Sequence, residues 1–208
     1  MEPRVGVLAL QGACEAHLAA FARLNVPARA TRRPEELHDL THLVLPGGES
    51  TTQHHLLERF GLWNRIRTRY RAGELVLFGT CAGAILLSTG DGRPPTLELL
   101  DARIQRNAFG SQSDSFAASI EFEDGPFPGV FIRAPRFTGV GPLVRVLGRL
   151  CAEPVLVEGQ GLLAATFHPE LTDDPRVHAR FLALRPDLNA DASLAGAPDP
   201  SAGAGRRA

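Results

Sequence analysis

Short apolar runs recur through the first half of the chain, and each gives way to a stretch whose apolar residues return every three or four positions. The runs at 4–10, 42–45 and 75–78 are rich in Val and Leu and too short for buried helices, so they predict strands. The stretches at 15–24, 51–71 and 82–87 have helical spacing. Strand and helix in turn build βαβ units, which feed a parallel sheet. The helix from Thr51 follows Gly47-Gly48-Glu49-Ser50, where a hydroxyl is expected to cap the free N–H groups, and Gly61 punctuates it.

The second half reads differently. Candidate strands at 97–104, 116–122, 130–132, 143–147, 154–157 and 162–167 are closely interrupted by Gly and Pro, and one closing helix is predicted at 175–184. Such a run adds mixed or antiparallel strands to the parallel core. The expected architecture is a single three-layer α/β domain over residues 1–188, with a mostly parallel central sheet plus antiparallel additions. Residues 189–208 hold seven alanines, three glycines, two prolines and no aromatic, so burial cannot offset their ordering entropy and a disordered tail is expected.

Composition narrows the function. With 208 residues, 44% of them hydrophobic, the chain can bury one sizeable core, and a net charge of -1 argues against nucleic acid or an anionic membrane as the main partner. No apolar run approaches the roughly 18–20 residues that span a bilayer, and no signal-like segment opens the chain, so a cytoplasmic protein is expected. All 22 basic residues are arginine, which removes Schiff-base and P-loop lysine chemistry. Cys14, Cys81 and Cys151 are odd in number and widely spaced, indicating neither a disulfide framework nor a structural zinc site. No metal is expected either: His17, His38, His42, His54, His55 and His178 complete no four-ligand set, and surface or helix-face positions are expected for them.

One cysteine stands apart. In Leu75-Val-Leu-Phe-Gly-Thr-Cys81-Ala-Gly83 it lies between an apolar strand and a helical run, with glycines two positions away on both sides. A sharp strand-to-helix turn strains its central residue and needs small neighbours, which is the pattern of a nucleophile elbow, and the helix N-terminus favours thiolate there. A buried small hydrophobe would have no use for those glycines. A thiolate nucleophile needs a base, and the base an orienting acceptor. Phe167-His168-Pro169-Glu170 follows a strand, and in an extended segment His168 and Glu170 would face one side. Pro46-Gly47-Gly48-Glu49-Ser50 ends another strand, where adjacent glycines let a backbone N–H approach a ligand, so Gly48 and Ala82 are the candidate oxyanion-hole donors.

Taken together, Gly6-Val-Leu-Ala-Leu-Gln-Gly12, Leu45-Pro-Gly-Gly-Glu-Ser-Thr-Thr52, Phe78-Gly-Thr-Cys-Ala-Gly83, Gln105-Arg-Asn-Ala-Phe-Gly110, Asp114-Ser-Phe116, Val130-Phe-Ile-Arg-Ala-Pro135 and Phe167-His-Pro-Glu-Leu171 resemble the glutaminase subunits of pyridoxal 5'-phosphate synthases, which are class I, triad-type glutamine amidotransferases of flavodoxin-like fold. The resemblance runs from about Arg4 to Leu184. It implies that Cys81 attacks the carboxamide of L-glutamine, that His168 protonates the departing ammonia, and that Glu170 holds His168. It implies further that Gly48, Glu49, Ser50, Arg106, Ile132 and Arg133 line the glutamine pocket, that no cofactor is needed, and that ammonia passes to a separate synthase subunit using ribose 5-phosphate and glyceraldehyde 3-phosphate. The absence of lysine agrees with that division of labour, since imine chemistry needs an amine. The helical face over 14–24 is the expected docking surface for the synthase.

The chain departs from the pattern at Ser111 and Ser113, where relatives carry Arg and a β-branched residue, and at Arg136, where histidine is common; the 88–96 segment is short, and the tail is extra. Two other readings remain open: an amidotransferase subunit of another pathway, such as histidine or purine synthesis, and a non-catalytic, thiol-sensing member of the fold.

Overall fold

The protein is described here by a computed structural model over residues 2–90, 92, 94–106 and 115–186. The 189–208 tail, Ser111 and Ser113 lie outside the described residues. Strands β1 (Val5–Leu8), β2 (Ala28–Thr31), β3 (His42–Leu45), β4 (Val76–Thr80), β5 (Ser88–Thr89), β6 (Leu100–Gln105), β7 (Ser115–Phe122), β8 (Phe127–Ile132), β9 (Arg136–Val140), β10 (Arg145–Leu150), β11 (Glu153–Gly159) and β12 (Leu162–Ala165) are joined by helices α1 (Cys14–Arg23), α2 (Ser50–Arg59), α3 (Leu62–Arg71), α4 (Ala82–Leu87) and α5 (Arg176–Ala183). One-turn 3-10 helices occupy Pro34–Leu37 and Pro169–Leu171.

The main sheet has nine strands in the order β2-β1-β3-β4-β12-β11-β10-β7-β8. Its β2-β1-β3-β4-β12 half is parallel and its β12-β11-β10-β7-β8 half antiparallel, as the change of pattern along the chain predicts. Alternate residues of the central strands feed two cores. Leu43, Leu45, Leu77, Leu162 and Ala164 join Leu57, Trp63, Ile66 and Leu86 of α2, α3 and α4 on one face. Val44, Phe78, Leu163 and Ala165 join Phe21 of α1 and Val177 and Phe181 of α5 on the other. Two apolar faces on one sheet require three layers. A small sheet, β5-β6-β9, packs on the first core through Leu100, Ala102, Ile104 and Phe137.

Several details differ from the sequence reading. The helix expected over 51–71 is two helices, because Gly61 takes a left-handed φ of 70° that ends one and starts the other. The α2 cap is not a hydroxyl: the Glu49 carboxylate accepts from the N–H groups of Thr51 and Thr52. Strands β2, β5 and β9 go unread, since β2 is a half-exposed edge of small and charged residues, β5 is two residues long, and β9 carries Arg136, whose Nε lies 2.7 Å from Glu153 Oε2. The strand expected at 97–104 begins only at Leu100.

Candidate active site

Three neighbouring parallel strands, β3, β4 and β12, deliver the site from their C-terminal ends. β4 runs Val-Leu-Phe-Gly-Thr and is buried throughout. At its end Cys81 adopts φ 47° and ψ -99°, a conformation L-residues rarely take, and α4 begins at once. The flanking glycines permit the turn. A Cβ on Gly79 would stand 2.5 Å from the Gly83 carbonyl carbon, and one on Gly83 2.7 Å from that of Leu45. Only bare backbone lets α4 sit this close to β3 and β4. The Cys81 N–H donates to the Ala165 carbonyl at 2.8 Å, tying the elbow to β12.

From the same β12, the chain reaches His168 three residues after Ala165. Although β8 is last in the strand order, its Val130 carbonyl accepts from the His168 N–H at 2.8 Å, so the β7–β8 hairpin curls over the site. That brings the Ile132 carbonyl oxygen 3.8 Å from Cys81 Sγ. Arg133, next along, holds a left-handed φ of 42°. Glu170 does face His168, with Oε1 2.8 Å from Nδ1, but through a 3-10 turn rather than the extended segment expected. Pro169 starts that turn, where its missing N–H is not needed.

Electrostatics favour an ion pair. Burial alone would push the His168 imidazole down; the Cys81 side chain and the Glu170 carboxylate outweigh it and carry its pKa up to about 10. Burial likewise disfavours the Glu170 carboxylate, yet the histidines on both sides, His17 and His168, hold it below the usual range. His168 thus stands as an imidazolium between sulfur and carboxylate, with Nδ1 turned to the acid and the rest of the ring to the thiol.

The loop after β3 completes the wall. Gly47 passes so close to the imidazole that a Cβ there would fall 2.8 Å from His168 Nδ1. Its N–H donates to Thr80 Oγ1 at 2.9 Å, which fixes the loop to the nucleophile strand. Gly48, Glu49, Ser50, Cys81, Ala82, Arg106, Ile132, Arg133 and His168, all read as site residues in the sequence, line one cavity of about 340 Å³. Sequence reading misses two more lining residues, Gln11 and Ile85. Gln11 lies in the Leu-Gln-Gly run, and its Oε1 accepts from the Glu49 N–H at 3.0 Å. Partial burial works against the Glu49 charge, but the N–H groups of Thr52 and Thr51 and the Thr52 hydroxyl hold its carboxyl at about 2. Arg106 approaches that carboxylate, Nη2 to Oε1 at 3.4 Å, from across the cavity. A fixed anion beside a guanidinium fork suits a zwitterion bearing both an ammonium and a carboxylate.

Of the histidines expected at surface or helix-face positions, His17, His54 and His178 do lie on helices, but on their buried faces, and His42 is buried in β3. His17 occupies the inward stripe of α1 with Cys14 and Phe21, and His178 that of α5 with Val177 and Phe181, so the helical spacing carried the signal. Burial pushes His42 down to about 4 and His178 to about 3, and both are neutral. Among the described residues no helix is long and apolar enough to cross a membrane.

Comparison with known proteins matches residues 7–184 to the family described as SNO glutamine amidotransferase. The pyridoxal 5'-phosphate synthase subunit PdxT of Thermus thermophilus is 50% identical over 184 residues, covering 86% of this chain and 96% of the relative. That of Deinococcus radiodurans is 49% identical over 189 residues, covering 86% and 96%. A crystal structure titled glutamine amidotransferase superposes with a TM-score of 0.82 at 50% identity, covering 86% of this chain and 96% of that one. PurLQS from Thermotoga maritima shares the fold alone, with a TM-score of 0.66 at 16% identity over 88% and 98% of the two chains.

Proposed function

The chain belongs to the SNO glutamine amidotransferase family, and we propose on that premise that it is the glutaminase subunit of a pyridoxal 5'-phosphate synthase. The observation that carries the reading is the strained Cys81 beside a His168 imidazolium whose Nδ1 meets Glu170 at 2.8 Å, inside a cavity that bears both a carboxylate and a guanidinium.

In this reading L-glutamine binds with its α-carboxylate toward Arg106 and Arg133 and its ammonium toward Glu49. Cys81 Sγ attacks the side-chain carbonyl carbon, and the oxygen takes negative charge toward the N–H groups of Gly48 and Ala82. The C–N bond then breaks as His168 gives its proton to nitrogen, releasing ammonia and leaving a γ-glutamyl thioester on Cys81. The now neutral His168 takes a proton from water, the resulting hydroxide attacks the thioester, and glutamate departs as the sulfur is released. Glu170 stabilises each imidazolium that forms. No step calls for a metal or cofactor.

The ammonia goes to a synthase subunit that carries the amine chemistry this lysine-free chain lacks, with α1 as the docking face. Catalysis by a free thiol suits the reducing cytoplasm. Formation of pyridoxal 5'-phosphate from ribose 5-phosphate, glyceraldehyde 3-phosphate and glutamine, with this chain and a synthase subunit mixed, tests the assignment. Product is expected with glutamine for the wild type, and only with added ammonium for Cys81→Ala. Product from ammonium but never from glutamine would mean either that the altered loops break activation by this synthase or that the chain serves another.

A further inference from the structure

The far side of Glu170 poses a question the triad does not answer. Oε1 is taken by His168, while Oε2 is buried with no hydrogen bond of ordinary length. A buried carboxylate oxygen without a donor is costly. The group facing it is His17 Nε2, at 3.5 Å, on a helix that packs directly against the Pro169–Leu171 turn.

His17 is completely buried, and burial pushes its pKa down, with the charge of His168 adding to the effect and that of Glu170 opposing it. It is therefore neutral and has one N–H to place. Its Nδ1 lies 3.1 Å from His178 Nε2, and its Nε2 faces Thr80 Oγ1 at 3.2 Å as well as Glu170. Two tautomers are possible. With the proton on Nδ1, a lone pair on Nε2 would point at the buried carboxylate. With the proton on Nε2, Glu170 Oε2 gains a donor and the Nδ1 lone pair accepts from His178 Nε2–H, so every group in the row finds a partner.

We propose that His17 is a positioning residue for the glutaminase reaction, presenting Nε2–H to Glu170 Oε2 while His178 fixes its tautomer. The row His178, His17, Glu170, His168, Cys81 runs from the α5 side of the sheet to the nucleophile. Arg23 is the further charge acting on His178 from α1. This inference rests on the triad reading and extends it by two residues.

Nitrogen NMR of the full chain labelled at histidine tests it directly: His17 is expected as the neutral Nε2–H form between about pH 7 and 8. An Nδ1–H tautomer or an imidazolium in that range overturns it. Glutaminase kinetics with the synthase subunit present supply the second readout. His17→Leu removes the donor, so kcat is expected to fall about tenfold or more at nearly unchanged KM, and the acid limb of the pH profile to move upward as Glu170 protonates more readily. His17→Gln, whose side-chain N–H reaches the same place, is expected to restore most of the rate. Wild-type kcat and pH profile in His17→Leu, or equal losses in the Leu and Gln variants, would refute a positioning role; if the Leu variant does not fold, the tautomer decides. Failure of the triad reading would look different, because the wild type itself would not hydrolyse glutamine.

Discussion

Gly47→Ala separates the geometry of the site from the stability of the fold. Gly47 does not hold the left-handed φ that disfavours a side chain, so the new methyl of alanine acts by contact alone. It would sit 2.8 Å from His168 Nδ1, and closer to Cε1, where carbon contacts settle at about 3.5–4.0 Å. The ring must retreat by roughly 1 Å, and it has nowhere to go without lengthening the 2.8 Å bond to Glu170. A displacement of about 1 Å at a reacting group costs on the order of 100-fold, or about 2.7 kcal/mol of activation free energy. The obstacle is one side chain, so the fold should absorb the change with a Tm shift of only a few degrees. Ammonia release measured by a coupled dehydrogenase assay, with the synthase subunit at saturation, gives kcat and KM, and a melting curve gives Tm. Turnover within about threefold of wild type at unchanged Tm would refute the claim that the glycine exists to seat the imidazole.

Gly83→Ala should fail in the opposite way: its methyl meets the Leu45 backbone rather than a side chain, so a loss of about 1–3 kcal/mol in stability is expected, read as a lower urea midpoint. The pH dependence follows from His168, whose pKa is raised from 6.5 to about 10 on folding. A raised pKa contributes stability in full below about pH 6.5, less as pH climbs, and none above about 10. Glutaminase turnover should likewise fall as pH passes through about 10 and the acid that protonates the leaving nitrogen is lost, and a pH–rate profile declining already near pH 7 would contradict this.

Much of the site could be read from the sequence because its demands are local. The Gly-Thr-Cys-Ala-Gly elbow must use small residues wherever a nucleophile stands between strand and helix, and His168-Pro-Glu170 holds its partners two residues apart. What escaped depends on distant parts of the chain. Glu49 lines the cavity, but its capping of α2 is decided by backbone geometry. His17 and His178 lie on the apolar stripes of their helices, but only the packing of α1 and α5 on one face of the sheet brings the two rings together. Gln11 reaches the cavity only because the loop after β1 lies against Gly47, whose carbonyl accepts from the Ala13 N–H. β2 has too few apolar residues to announce itself and is recruited by β1.

The glutaminase reading stands or falls with Cys81 as the nucleophile toward glutamine. Incubation of the wild-type chain, with the synthase subunit present, with a γ-halomethyl ketone analogue of glutamine, followed by peptide mass spectrometry, tests it most directly. One adduct is expected, on Cys81 alone, suppressed by excess glutamine. An unmodified Cys81, or equal labelling of exposed Cys151 that glutamine does not suppress, would contradict it.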